Sequence, residues 1–371
     1  MLATNTDTAL VDHHCHGLFL HELDRTGFER HLGEADGPGM HGATPFDSML
    51  GMAVRRWCPP ALDLEPHAEV DDYLARRAEL GGEQVARRFL RASGITRFLV
   101  DGGLLPGTVT SNTELAALSG RRADSVIRLE QVAEDVVRAG TTADRFGSDV
   151  DDLLVERARG AVAVKSIAAY RVGLDLDPRR PSRAELHAAA ASWLRSGSGR
   201  LQHQAIHRFL LWRAVDLGLP IQVHIGLGDT DLDMHRCDPL LLTGFLRATR
   251  SARIPVVLLH NYPFHRHAAY LAQVFEHVFL DLGLTMHHVG ARSTEVLAET
   301  MELAPFGKVL FATDAFGLAE LYLVGSTLFL RALDRFLDAG VSDHEWTARD
   351  AERIRADITS GTARRLYGLR E

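Results

Sequence analysis

The sequence predicts an α/β fold, a (β/α)8 TIM barrel with a long insertion after its first strand, on three observations. Eight short apolar runs alternate with helical stretches, the pattern of parallel strands joined by crossover helices. No Gly-x-Gly-x-x-Gly follows the first run, which weighs against an open dinucleotide-binding sheet. Four of the runs give way to a loop at a His or Asp, and the C-terminal ends of barrel strands are where this architecture gathers its chemistry.

The runs are Ala9–Asp12, Arg97–Asp101, Ser125–Glu130, Ala161–Ile167, Ile221–His224, Val256–His260, Val278–Leu282 and Val309–Thr313. Such uniformly apolar segments suit strands buried on both faces. Between the runs, residues 182–195 and 201–217 read as helices, the second stopped by Gly218 and Pro220. Ser342 followed by Glu345 gives a capping-box pattern leading into a final helix that ends near Leu366. After the first run, residues 33–66 are rich in Gly, Pro and Asp, and residues 70–92 look helical. Residues 33–92 are therefore expected to form an insertion, a helical cover over the barrel mouth, within a single domain spanning residues 1–371.

Composition narrows the partners. The chain is 46% hydrophobic and 24% charged with a net charge of −8, and no basic stripe invites nucleic acid. No apolar stretch reaches the length of a membrane span. Cys15, Cys58 and Cys237 are too scattered for a disulfide framework, so a reducing cytoplasm is expected. The first residues lack a basic segment followed by an apolar run, so no secretion leader is expected. A small-molecule substrate is the remaining partner class, and a homo-oligomer is left open.

The first run leads into Val-Asp-His-His-Cys-His. In a strand, residues two apart share a face, so His14 and His16 converge while Cys15 points away. His224, His260 and Asp314 close the fifth, sixth and eighth runs. Imidazole and carboxylate ligands brought to one barrel mouth imply one or two divalent metal ions. This set suits Zn2+, and Mn2+ or Fe2+ accept the same ligands. The chain has only two lysines, and Lys165 ends the fourth run. A free ammonium beside a cation is electrostatically unfavourable. Either CO2 converts Lys165 to an anionic carbamate ligand, a carbamylated lysine, or its side chain turns aside to bind an anionic substrate group.

Further polar residues stand at run ends. Glu130, Tyr170, Arg171 and Tyr262 are candidate substrate-binding residues, and the planar fork of Arg171 suits a carboxylate. Asp229, Asp231 and Asp233 lack the Gly and Glu that complete a calcium loop. His287 and His288 read as surface histidines.

The His-x-His, the His residues of the fifth and sixth runs and the terminal Asp resemble the amidohydrolase superfamily. The stretches at 164–174, 224–233 and 312–322 are similar to its amidohydrolase-related branch. They are closest in character to the amidohydrolase-like part of fusion proteins that carry a glutamine-synthetase-like domain. The resemblance implies that His14, His16 and Asp314 hold one metal, and His224 and His260 a second, with carbamylated Lys165 between them. In one-metal members the strand-five His joins the first set, and His260 contacts substrate or water. Asp314 would be both ligand and general base, and the metal or His260 would polarise the scissile carbonyl.

The expected activity is hydrolysis of a C–N bond, an amide or γ-glutamyl-type linkage, in a small carboxylate-bearing compound. The glutamate element rests on the resemblance alone. A metal-dependent non-oxidative decarboxylase is the second reading. A barrel that has lost turnover and serves as a scaffold is the third, and the complete ligand set argues against it.

Overall fold

A computed structural model describes residues 9–370. The leader expectation rests largely on residues 1–8, which lie outside the described residues. The chain forms an α/β fold in two compact units, Met1–Asp124 with Asp281–Glu371, and Ser125–Leu280.

In the first unit, β1 (Leu10–Cys15) pairs in parallel with β2 (Ile95–Asp101), with Val11 opposite Arg97 and Asp12 opposite Phe98. All six residues of β1 are buried, so the strand runs straight through the polar Asp-His-His segment. Burial of those groups is tolerable only because each finds a polar partner. The eighth apolar run is not a regular strand. Residues 310–316 have no regular secondary structure, yet they follow β1 closely. His13 N–H donates to the Phe311 carbonyl, Asp314 N–H to His14, and His16 N–H to Ala315. Asp314 sits at φ +54°, a left-handed conformation that breaks the regular ladder.

Residues 33–92 contain the helices Met49–Trp57, Val70–Leu80 and Gly82–Ala92. They pack on the helices Gly283–Val289 and Glu320–Ser342 of the same unit. The anchor is polar. Tyr73 donates to Glu320 Oε1 at 2.8 Å and Arg77 Nε to the same oxygen at 2.6 Å. Arg77 is 6% exposed and Glu320 fully buried. Removing one partner of a buried ion pair strands the other charge, at a cost of about 3–5 kcal/mol. Arg77→Ala is therefore expected to lower unfolding free energy by about that amount in denaturant titrations. A loss below about 1 kcal/mol would show that the pair does not anchor the segment.

The long helix Glu320–Ser342 consumes Ser342 as its last residue, so the expected Ser342–Glu345 cap is not formed. The cap lies further on. Thr347 and Asp350 make the capping box of the helix Ala348–Ala356, and the helix Thr362–Leu366 ends where expected.

In the second unit, β3 (Arg122–Arg128, entering from the first), β4 (Ala161–Ser166), β5 (Ile221–Ile225), β6 (Val256–His260) and β7 (Val278–Leu280) pair in parallel in chain order. β5 and β6 are wholly buried, as their Ile, Val and Leu content requires. The helix Arg183–Ser196 has a Ser182–Glu185 capping box. The helix Gln204–Leu217 stops at Gly218, whose φ of +74° suits glycine. Glu130 does not end a strand. β3 finishes at Arg128, and Glu130 falls in the first turn of the helix Leu129–Arg138. No helix among the described residues is long and apolar enough to cross a membrane.

Candidate metal centre

β1 carries His14, His16 follows just past its end, and the irregular segment beside it brings in Asp314. His14 Nε2 and His16 Nε2 each lie 3.2 Å from Asp314 Oδ1. The three ligand atoms fall within 4.8 Å of one another. The two imidazoles meet edge to face, with centroids 5.0 Å apart. His16 Nδ1 is 3.0 Å from the Asp101 carbonyl. A carbonyl only accepts, so Nδ1 carries a proton and Nε2 is the ring atom turned toward Asp314. A lone pair facing a carboxylate oxygen at 3.2 Å is repulsive unless a cation or a proton lies between them. The donor set of two imidazole nitrogens and one carboxylate oxygen, all buried, fits a divalent cation.

The supporting residues fix these ligands. Asp12 accepts from Thr313 N–H at 2.9 Å and from the Thr313 hydroxyl, tying β1 to the segment that carries Asp314. Burial pushes its carboxyl up to about 8, against the lowering effect of those hydrogen bonds. His13, on the opposite face of β1, pairs with Asp281 at 2.9 Å and with the Tyr367 hydroxyl at 3.0 Å. Tyr322 donates to the His16 carbonyl. Gly283 leaves room for Asp314, because a Cβ there would lie 3.2 Å from Asp314 Cβ.

The second unit carries a further set. His224 and His260 are buried with ring centroids 4.7 Å apart, and the Tyr170 ring lies 4.5 Å from that of His224. In the ladder His260 pairs with Ile225, so a regular pleat would point it away from His224. Its φ of +68° turns it out of the pleat. Asn261, also at +68°, holds the turn by donating Nδ2–H to the Leu258 carbonyl at 2.7 Å. Non-glycine residues in left-handed backbone cost about 1–3 kcal/mol and concentrate at functional sites. Lys165 is buried and pairs with Gln222, two residues before His224 on the same face of the sheet.

A cavity of about 420 Å³ in this unit is lined by Tyr170, Arg171, Arg200, Asp231, Asp233 and Arg236 among others. Arg171 lies 3.6 Å from Glu134, and burial lowers its pKa despite that carboxylate. Arg200 donates to Asp231 at 2.6 Å, and Arg236 to Asp175 at 2.9 Å. Sequence reasoning missed Arg200, in a loop, and Arg236, the last residue of the short 3-10 helix Met234–Arg236, since neither stands in a motif. Of the expected substrate residues, Tyr170 and Arg171 line this cavity. Tyr262 is half-buried and stacks on His265. Glu130 is not among the lining residues. It is buried, accepts from Ser166 Oγ at 2.7 Å and pairs with His207 Nδ1 at 3.2 Å. Burial alone would raise its pKa, but the hydrogen bond and charge of His207 hold it below the usual carboxylate value.

Other histidines differ from expectation. His287 is buried rather than on the surface, with Nε2 2.9 Å from the Leu321 carbonyl. His288 is half-buried against Glu34. Cys15, Cys58 and Cys237 are all buried packing residues.

Comparison with known proteins shows the family. Residues 103–369 match the family model described as amidohydrolase. The chain is 29% identical over 241 residues to Protein fluG of Emericella nidulans, across 61% of this chain and 27% of that protein. It thus spans about a quarter of the length of the curated relative it matches. Its fold is similar to that of a candidate metal-dependent hydrolase from Lactobacillus casei, with a TM-score of 0.84 and 28% identity over 99% of this chain and 98% of that one. A uronate isomerase from Thermotoga maritima shares the fold alone, with a TM-score of 0.64 and 13% identity over 98% and 95% of the two chains. The resemblance to the amidohydrolase superfamily is therefore borne out, and the chain belongs to the amidohydrolase family.

Proposed function

We propose that this chain is a metal-dependent hydrolase that cleaves a C–N bond, of amide or γ-glutamyl type, in a small carboxylate-bearing substrate. The observation that carries the reading is the convergence of His14 Nε2, His16 Nε2 and Asp314 Oδ1, with the His16 tautomer set by the Asp101 carbonyl. These three residues would hold a divalent cation, Zn2+ in the first instance. His224, His260 and carbamylated Lys165 are assigned to a second. A bound cation of this kind supplies Lewis acidity and lowers the pKa of a water to about 7.

The chain's own residues do the rest. Asp314 accepts the proton of the attacking water and delivers it to the leaving nitrogen. In the one-cation arrangement His260 is instead free of metal and donates toward the scissile carbonyl oxygen, where negative charge develops. Arg171, with Arg200 and Arg236 lining the same cavity, is assigned the substrate carboxylate, because planar guanidinium groups match it bidentately. Arg171 is held there by the Glu134 carboxylate and is substantially desolvated, which strengthens any new ion pair.

The test is a panel of small N-acyl and γ-glutamyl carboxylates, assayed in parallel for amine release and for CO2 release. Hydrolysis predicts stoichiometric amine without CO2. CO2 without amine assigns the same residues to a non-oxidative decarboxylase. Labelling with carbon-13 bicarbonate tests the Lys165 assignment, through a carbamate resonance that Lys165→Arg abolishes.

A further inference from the structure

A groove of about 320 Å³ in the first unit shares no residue with the metal set. Its apolar part is made by Met49, Met52 and Trp57, on the segment between β1 and β2. Its polar part is three arginines. Arg56 lies beside Trp57, and Arg331 and Arg335 stand one turn apart on the helix Glu320–Ser342. No Asp or Glu is among the residues that line it, in a chain whose net charge is −8.

Among the described residues none of the three guanidinium groups forms an ion pair or a hydrogen bond. Five other arginines of the segment between β1 and β2, Arg25, Arg76, Arg77, Arg87 and Arg88, are paired with carboxylates. Arg56 and Arg331 instead lie over the Trp57 ring, at 4.5 and 5.0 Å from its centroid. Arg331 and Arg335 are four residues apart on one helix, where like charges repel. Partial burial together with the charges of Arg335 and Arg56 lowers the pKa of Arg331. The folded chain thus concentrates uncompensated positive charge in a concave place.

We propose that this groove binds a small phosphorylated ligand carrying a planar ring, of the nucleoside phosphate type, through Arg56, Arg331 and Arg335 with the ring against Met49 and Met52, beside Trp57. Each guanidinium offers five N–H donors in a planar fork that matches phosphate oxygens. The volume falls in the range of small-molecule sites, about 300–1,000 Å³. Trp57 holds the Arg56 and Arg331 guanidiniums over its ring, and the adaptable methionine side chains are left to pack against the ligand's ring.

The probe is ADP, titrated by calorimetry into the full-length protein as purified, with Trp fluorescence followed in parallel. Binding with a dissociation constant below about 1 mM is expected, weakening as salt rises. Inorganic pyrophosphate keeps the charge and adenosine keeps the ring; each should bind at least about tenfold more weakly than ADP. Arg331→Gln with Arg335→Gln should weaken ADP by at least about tenfold while metal content and melting temperature stay unchanged. Arg335→Gln alone alters only an exposed side chain and should show part of the same loss. The proposal is overturned if ADP does not bind at millimolar concentration. It is also overturned if ADP binds the arginine variants as well as the parent, since the ligand would then be held elsewhere, for example by a metal. Pyrophosphate binding as tightly as ADP would overturn the ring assignment. An aspartate-rich peptide that binds where ADP does not would replace the small molecule with a protein partner.

Discussion

Asp314→Asn should yield a folded protein whose turnover is lower by several orders of magnitude. The amide is nearly isosteric with the carboxylate and is tolerated sterically beside Gly283. It loses two functions at once. It cannot act as the base that takes up the water's proton, a contribution worth about 10²–10⁴ in rate. It also removes the anionic oxygen on which His14 and His16 converge. Circular dichroism should be unchanged, and kcat should fall far more than substrate affinity. Near-normal turnover in this variant would remove Asp314 from the chemistry.

His14→Ala combined with His16→Ala should abolish both metal retention and activity, with a smaller effect on folding. Imidazole nitrogens provide two of the three ligand atoms in the triad, and a lone carboxylate holds zinc poorly in water. Added zinc should restore the parent protein after chelation but not the double variant. His13→Ala is the informative contrast. Its ring belongs to Asp281 and Tyr367, so its loss should reduce stability while leaving the ligand atoms in place. Equal metal loss in both variants would mean that the strand as a whole, rather than its inward face, retains the cation.

The strands that carry the candidate ligands were legible because buried parallel strands are largely apolar, and a His or Asp at the end of such a run stands out. Two-residue periodicity was enough to separate His14 and His16 from Cys15, whose thiol turns to the Leu99 carbonyl. Backbone conformation was less accessible. Nothing local signals that Asp314 and His260 take left-handed φ, so the eighth run read as a strand. Glu130 ended an apolar run in sequence, but the chain had already turned into a helix at Leu129. Its partners, Ser166 and His207, come from other elements and leave no pattern around residue 130. The same holds for the pairing of His13 with Asp281, and for the gathering of Arg171, Arg200 and Arg236 on one cavity. Ser342 and Glu345 satisfied the spacing of a capping box, but the preceding helix propagated through Ser342, leaving Thr347 to cap the next.

The central claim is that His14, His16 and Asp314 hold a divalent cation. It is tested most directly by elemental analysis of the purified chain after growth with zinc or manganese supplementation, in parallel with the His14→Ala/His16→Ala variant. The account predicts about one or two equivalents in the parent and a loss of at least one in the variant. Well under one equivalent in the parent, or the same content in both proteins, would contradict it.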